Sequence, residues 1–252
     1  MVFTMHLLEV ANLTKRFGGL TAVNDVNFYI DEGEMIGIIG PNGAGKTTLF
    51  NLLSGFLNPD SGSIKFKSEE LIGLPPYKIV NKGLARTFQV VRPFHHLPVI
   101  ANVMVALKSP RGARKIEWLK TMERKAADLL EDVGLSELML EPAENVGHGD
   151  LKRLEIAKAL ATEPDLLLLD EPFGGLNPLE VDFLTKSIMR MHLDEPRRGV
   201  IIVEHKLYAL MKLVERVIVF HKGEKLAEGT PEEIANNKKV IEVYMGGAFK
   251  RA

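Results

Sequence analysis

The 252-residue chain contains no cysteine. Disulfides and thiolate metal sites are therefore excluded, and the fold must rest on its apolar core. Long apolar runs are missing as well. The richest stretches, Leu166 to Leu169 and Val200 to Val203, fall far short of the roughly 20 residues that span a bilayer. No charge of one sign dominates, with 32 Lys plus Arg against 33 Asp plus Glu, so there is no overall basic field for nucleic acid. The amino-terminal "MVFTMHLLEVANLTKRF" lacks a basic head, a long apolar core and a cleavage site, and does not read as a secretory signal. Internal repeats and low-complexity segments are absent. A membrane role, on these grounds, runs through a partner.

What is present is the composition of a soluble globular protein, 46% apolar and 26% charged, long enough for one domain with a subdomain. Met35 to Ile39 reads as a strand that runs into "GPNGAGKTT" and then a helix through about Leu53. "PDLLLLD" and "GVIIVEH" read as two more buried strands, each with a helix behind it, the first over about Leu179 to Met191. "RVIVFHKGEKLAEG" reads as two strands joined by a Lys-Gly turn. Near-continuous apolar strands predict a mostly parallel sheet covered on both faces, an α/β fold. "HLLEVANL" and "AVNDVNFYI" alternate instead, predicting a small antiparallel sheet at the amino end. From about Val99 to Ala161 the spacing is mostly helical, which predicts a helical insertion between the first and second core strands.

The chemistry concentrates in two places. Gly40-Pro41-Asn42-Gly43-Ala44-Gly45-Lys46-Thr47 fits G-x-x-x-x-G-K-[ST] with a strand before and a helix after. The glycines let backbone N–H groups converge on phosphates, Lys46 reaches the β and γ phosphates, and the Thr47 hydroxyl ligates Mg²⁺. Thr48 follows in the first helical turn. Asp170 ends the "LLLLD" strand, where a carboxylate can hold Mg²⁺ through water. Glu171 comes next and can take a proton from attacking water. Either acid alone could simply cap a turn. Downstream of a P-loop, after four leucines, the pair is strong evidence for the second half of a phosphate-binding site.

Over essentially its whole length the chain resembles the ATP-binding subunits of ABC transporters. That resemblance implies a P-loop NTPase core, an amino-terminal antiparallel β subdomain and an inserted helical subdomain at about 99–161, within a single ABC ATPase domain over 1–252. Phe17 in "KRFGG" resembles the aromatic residue that stacks on adenine. Gln89 in "RTFQ" resembles the Q-loop glutamine, which senses the metal and the attacking water. "GGLNP", Gly174 to Pro178, resembles the D-loop, and His205 in "IIVEHK" the switch histidine that contacts the γ phosphate. Singly each has a bland reading, as packing, a solvated side chain or a structural histidine; their shared order is what distinguishes them. The resemblance implies ATP and Mg²⁺ as cofactors, with Thr47, Gln89 and Asp170 around the metal. It also implies a head-to-tail pairing with a second cassette, integral membrane permease subunits, and a seat on the cytoplasmic face of the membrane.

Val146-Gly147-His148-Gly149-Asp150 falls where the family carries its L-S-G-G-Q signature, which faces the nucleotide held by the partner cassette. Arg153 and "RLEIAKAL" support that alignment, and Asp150 is expected to cap or charge the first turn of the helix. Gly147 stands where a serine hydroxyl would bond the γ phosphate. A hydrogen bond to a charged group is worth roughly 1.5–3 kcal/mol, so its loss weakens closure about tenfold to a hundredfold per site. Asp150 places a negative charge near a polyphosphate. The chain's own P-loop is intact, so a heterodimer with a cassette of normal signature is expected.

Within the family, "RTFQ", "RLEIAKAL", "DEPFGGLNP" and "GTPEEIANNKKVIEVYMGG" resemble the ATPases of branched-chain amino-acid importers. The lipopolysaccharide-export ATPase is the alternative. A P-loop GTPase would need N-K-x-D, and neither "NKGL" nor "NKKV" supplies the Asp. A DNA-repair or translation cassette would bring a coiled coil or a second cassette. A module that binds ATP with little turnover is favoured only by Gly147, and opposed by Glu171 and His205. "VVRPFHHLPVIANV" reads as a docking surface for membrane-subunit helices or as a core-packed loop. His95 and His96 are adjacent, so a metal site there is not expected, and Trp118 reads as packing.

Overall fold

The computed structural model describes residues 6–115 and 119–249. Trp118 lies outside them. The chain opens with β1 (Leu8–Phe17) and β2 (Leu20–Ile30), an antiparallel pair, then β3 (Met35–Ile39) and helix α1 (Lys46–Leu53). Strands β4 (Ser61–Phe66) and β5 (Glu69–Glu70) complete a four-stranded sheet in the order β2-β1-β4-β5, with every pair antiparallel. Helix α2 (Pro76–Lys82) leads into a short strand, β6 (Leu84–Arg86). Helices α3 (Val99–Leu107), α4 (Leu119–Asp132) and α5 (His148–Leu160) follow and pack on one another. The remainder alternates: β7 (Leu166–Asp170), α6 (Pro178–Asp194), β8 (Gly199–Val203), α7 (Leu207–Leu210), β9 (Arg216–His221) and β10 (Glu224–Gly229). Helices α8 (Pro231–Ala235) and α9 (Lys238–Phe249) end the described chain.

The second sheet runs β10-β9-β3-β8-β7-β6, parallel throughout except for the β9–β10 hairpin. Its apolar runs are buried on both faces, and the strand period of two sorts them. Ile36, Ile38, Leu166, Leu168, Ile201 and Val203 face one core, shared with the antiparallel sheet and α1. Their alternates Met35, Ile39, Leu167, Leu169, Val200 and Ile202 face the other, shared with α3–α6. Four successive leucines thus fill two cores rather than one.

One expectation needs correction. The helical segment does not lie between the first and second core strands, because β6 intervenes and pairs in parallel with β7. With three residues and no β-branched side chain, β6 owes its conformation to the neighbour it pairs with, not to its own propensity. The helix expected behind β8 is present as a single turn at Leu207–Leu210.

Candidate active site

The loop between β3 and α1 is shaped by its glycines. Gly45 has φ +106 and is the N-cap of α1. A Cβ there would sit 2.3 Å from the Ala22 carbonyl oxygen, so both conformation and space demand glycine. No side chain caps α1, and its first turn carries no acid. The N–H groups and positive dipole end are left for an anion. Lys46 is buried, and its ammonium donates to the carbonyls of Gly40 (2.7 Å) and Pro41 (3.0 Å). Burial pushes its pKa below the ordinary lysine value, and the charges of Glu171 and Asp170 pull it back up.

A cleft of about 730 Å³ lies over this loop. It is lined by Asn42 to Thr48, by Phe17 at the end of β1, and by Gln89, Glu171 and His205. Phe17 is 46% exposed, an aromatic face open to a ligand. Lys222, in the β9–β10 turn, also lines the cleft and is not singled out by the sequence. Glu171 is held from both sides. Gln89 Nε2 donates to its Oε2 at 2.9 Å, and His205 Nε2 lies 3.2 Å from its Oε1. Two residues distant in sequence, Gln89 and His205, therefore meet at the carboxylate of Glu171 in the cleft. Glu171 follows directly on β7 with φ +48, a left-handed conformation uncommon outside glycine.

Asp170 lies deeper, its side chain 3% exposed. It faces a neighbouring pocket that Thr47 and Gln89 also line, so the three expected metal-site residues share one space. Its carboxylate accepts a 2.7 Å bond from Arg86 Nη2, and its N–H donates to Thr87 Oγ1 at 3.1 Å. Arg86 is itself buried. Its Nη1 donates to Asn51 Oδ1 and Ser54 Oγ near the end of α1, and its guanidinium lies over Phe50 and Phe88. Segment 86–89 thus carries groups that reach both acids of the site.

Glu204 is a second residue that the sequence reading passes over. It is 2% exposed, and its carboxylate accepts from the N–H groups of Phe173 (2.7 Å), His205 (2.7 Å) and Lys206 (2.9 Å). It thereby joins the segment after Glu171 to the segment bearing His205. Lys206 Nζ donates to the Leu176 carbonyl at 2.6 Å, and Asn177 caps α6 in a capping box with Glu180. Residues 173–177 are consequently tied down at both ends.

Val146 to Asp150 do not line the cleft. Val146 is buried, and Gly147 is the N-cap of α5, followed by His148, Gly149 and Asp150 in the first turn. A Cβ on Gly149 would come within 2.8 Å of Glu180 Oε1, and the His148 ring lies close to Gly175. The loop therefore packs on residues 174–180. Of the two roles expected of Asp150, it charges the first turn of α5 but does not cap it: α5 has no side-chain cap, and Asp150 pairs with Arg153 one turn on. A guanidinium at i+3 captures the carboxylate that would otherwise turn back to the helix end.

Downstream of Gln89 the chain is exposed and apolar yet ordered. Val90, Phe94 and Leu97 face outward. The fully buried Asn102 accepts from the Phe94 N–H (2.7 Å) and donates toward the carbonyls of Phe94, Leu97 and Pro98. His96 pairs with Glu144 at 3.0 Å. Among the described residues, no helix is long and apolar enough to cross a membrane.

Residues 23–174 match the family model described as ABC transporter, and residues 224–250 that described as branched-chain amino acid ATP-binding cassette transporter. The high-affinity branched-chain amino acid transport ATP-binding protein BraF of Pseudomonas aeruginosa is 42% identical over 96% of this chain and 98% of its own length. The lipopolysaccharide export system ATP-binding protein LptB of Haemophilus influenzae is 33% identical over 98% of this chain and 100% of that protein. The solved ADP conformation of an ATP-binding cassette of an ABC transporter matches the fold with a TM-score of 0.84, at 29% identity, over 96% of this chain and 100% of that one. With its P-loop, paired acids and converging Gln89 and His205 arranged on that fold, the chain belongs to the ABC transporter family, in the group of branched-chain amino acid transport ATP-binding proteins.

Proposed function

We propose that this chain is the ATP-hydrolysing motor subunit of an ABC importer for branched-chain or related amino acids, held on the cytoplasmic face of the membrane by integral permease subunits. The observation that carries the reading is Glu171, gripped by Gln89 and His205 beside a P-loop with an uncapped helix end. In that arrangement the N–H groups of Gly43 to Thr48 and the Lys46 ammonium take the phosphates, and Phe17 stacks on adenine. Glu171 accepts a proton from water as its oxygen bonds to the γ phosphorus and the bridge to the β phosphate breaks, leaving ADP and phosphate. Gln89 orients that water, and His205 contacts the γ phosphate.

Mg²⁺ fits the donors present. Thr47, Gln89 and Asp170 offer hydroxyl, amide and carboxylate oxygens in one pocket, the hard ligands this ion takes alongside phosphate oxygens and water. When bound, it neutralises charge developing on the phosphates.

The second cassette presents its signature loop to this chain's nucleotide, and Val146 to Asp150 face the nucleotide of that cassette. Gly147 offers no hydroxyl and is exposed at its helix end. A heterodimer in which the partner carries an intact signature follows from this. Gly147→Ser is expected to raise the ATPase rate of the isolated protein roughly tenfold, measured as phosphate release. An unchanged rate, with Lys46→Ala abolishing activity, would refute the weakened-signature reading. Exposed Val90 and Phe94, in the segment after Gln89, support reading that segment as the docking face for permease helices. Lipopolysaccharide export is less well supported, at 33% identity to the LptB relative against 42% to BraF. The assembled complex in vesicles should couple phosphate release to uptake of a labelled branched-chain amino acid. Release that never depends on such a substrate would set the cargo aside.

A further inference from the structure

We propose that Lys152 is a positioning residue that couples the signature helix α5 to the hydrolytic centre of its own chain, so that events at one nucleotide site adjust the other. The inference rests on Glu171 being the base, as argued above.

Lys152 sits two residues beyond Asp150, in the first turns of α5, and is 5% exposed. Its ammonium donates to the carbonyl oxygens of Gln89 (3.1 Å) and Glu171 (3.0 Å). These are main-chain atoms of two of the three residues that converge on the reacting centre. Burial pushes its pKa below the ordinary lysine value and the charges of Glu171, Glu204, Asp170 and Glu155 pull it part of the way back, yet among the described residues it forms no ion pair. A buried ammonium surrounded by carboxylates but bonded to two carbonyls is placed for geometry, not for charge pairing. The carbonyl it holds belongs to the residue with φ +48, whose backbone needs outside support.

The next residue, Arg153, makes its contacts elsewhere. It bonds the Gly134 carbonyl (3.0 Å), pairs with Asp150, and lies over the Phe183 ring. One turn of α5 is therefore tied at once to the loop facing the partner's nucleotide and to the Gln89 and Glu171 backbones. A shift of α5 when its amino end engages that nucleotide moves Lys152, and Lys152 moves the carbonyls.

The test compares Lys152→Met and Lys152→Arg in the full chain. Lys152→Met should lower kcat by about thirtyfold while KM for ATP and the affinity for a non-hydrolysable analogue stay within about threefold. Lys152→Arg should recover at least a third of the wild-type kcat. The gain from Gly147→Ser should vanish in the Lys152→Met background, a result that a packing role would not give. Should Lys152→Met not fold, Lys152→Gln is read in the same assays with the same expectation. A kcat within threefold of wild type, a parallel loss of analogue affinity, or a Gly147→Ser gain that persists overturns the proposal. A wild-type chain that hydrolyses no ATP overturns the function proposed above instead, and this inference with it.

Discussion

Glu171→Gln should reduce phosphate release by about a thousandfold while leaving ATP affinity near wild type. The amide keeps the shape of the carboxylate and can still meet Gln89 or His205, but it cannot take the proton from water, and general base catalysis contributes roughly 10²–10⁴-fold. Because nucleotide then stays as ATP, the closed pair formed with a cassette of intact signature should accumulate, visible as a dimer in gel filtration with Mg²⁺ and ATP. Phosphate release within tenfold of wild type would move the base elsewhere. His205, 3.2 Å from the same carboxylate, would be the first residue to try.

Arg86→Met is expected to be the most destabilising single change in the site. Arg86 and Asp170 are 5% and 3% exposed. Removing one member of such a pair strands the other charge, typically at a cost of roughly 3–5 kcal/mol. For a chain of this length, about 2–4 °C of melting temperature accompanies each kcal/mol, so the midpoint should fall by about 6–20 °C. The Arg86→Met/Asp170→Leu double variant should recover most of that loss, since two apolar groups need no partner, yet remain inactive. Calorimetry on the wild type and the two variants decides it. If the double variant melts no higher than Arg86→Met, the pair does not account for the loss.

The legible part of the site was the part written in short contiguous runs. The P-loop, the Asp170–Glu171 step and His205 each follow an apolar strand, and their chain order gave the convergence that the structure displays. Gln89 was legible only through the family pattern, because nothing near it marks a strand. The residues that hold these groups in place were not legible. Arg86, Lys152 and Glu204 look in sequence like any solvated charge. Their burial depends on β6 pairing beside β7, on α5 lying under residues 171–174, and on β8 ending where Phe173 arrives. The parity of Glu204 after Val203 was a faint signal, since it continues a buried strand. Asp150 does charge the first turn of α5, one of the two roles its position predicts, while Arg153 one turn on takes the carboxylate that the other role would need.

Asn102 has a consequence for how force reaches the site. One buried amide pins four main-chain groups between Phe94 and Pro98, so that part of the stretch beyond Gln89 has little freedom left to lose when something presses on it. A permease helix arriving there would meet a stiff lever, not a soft pad. Its displacement would be spent on Gln89 instead of on ordering the loop.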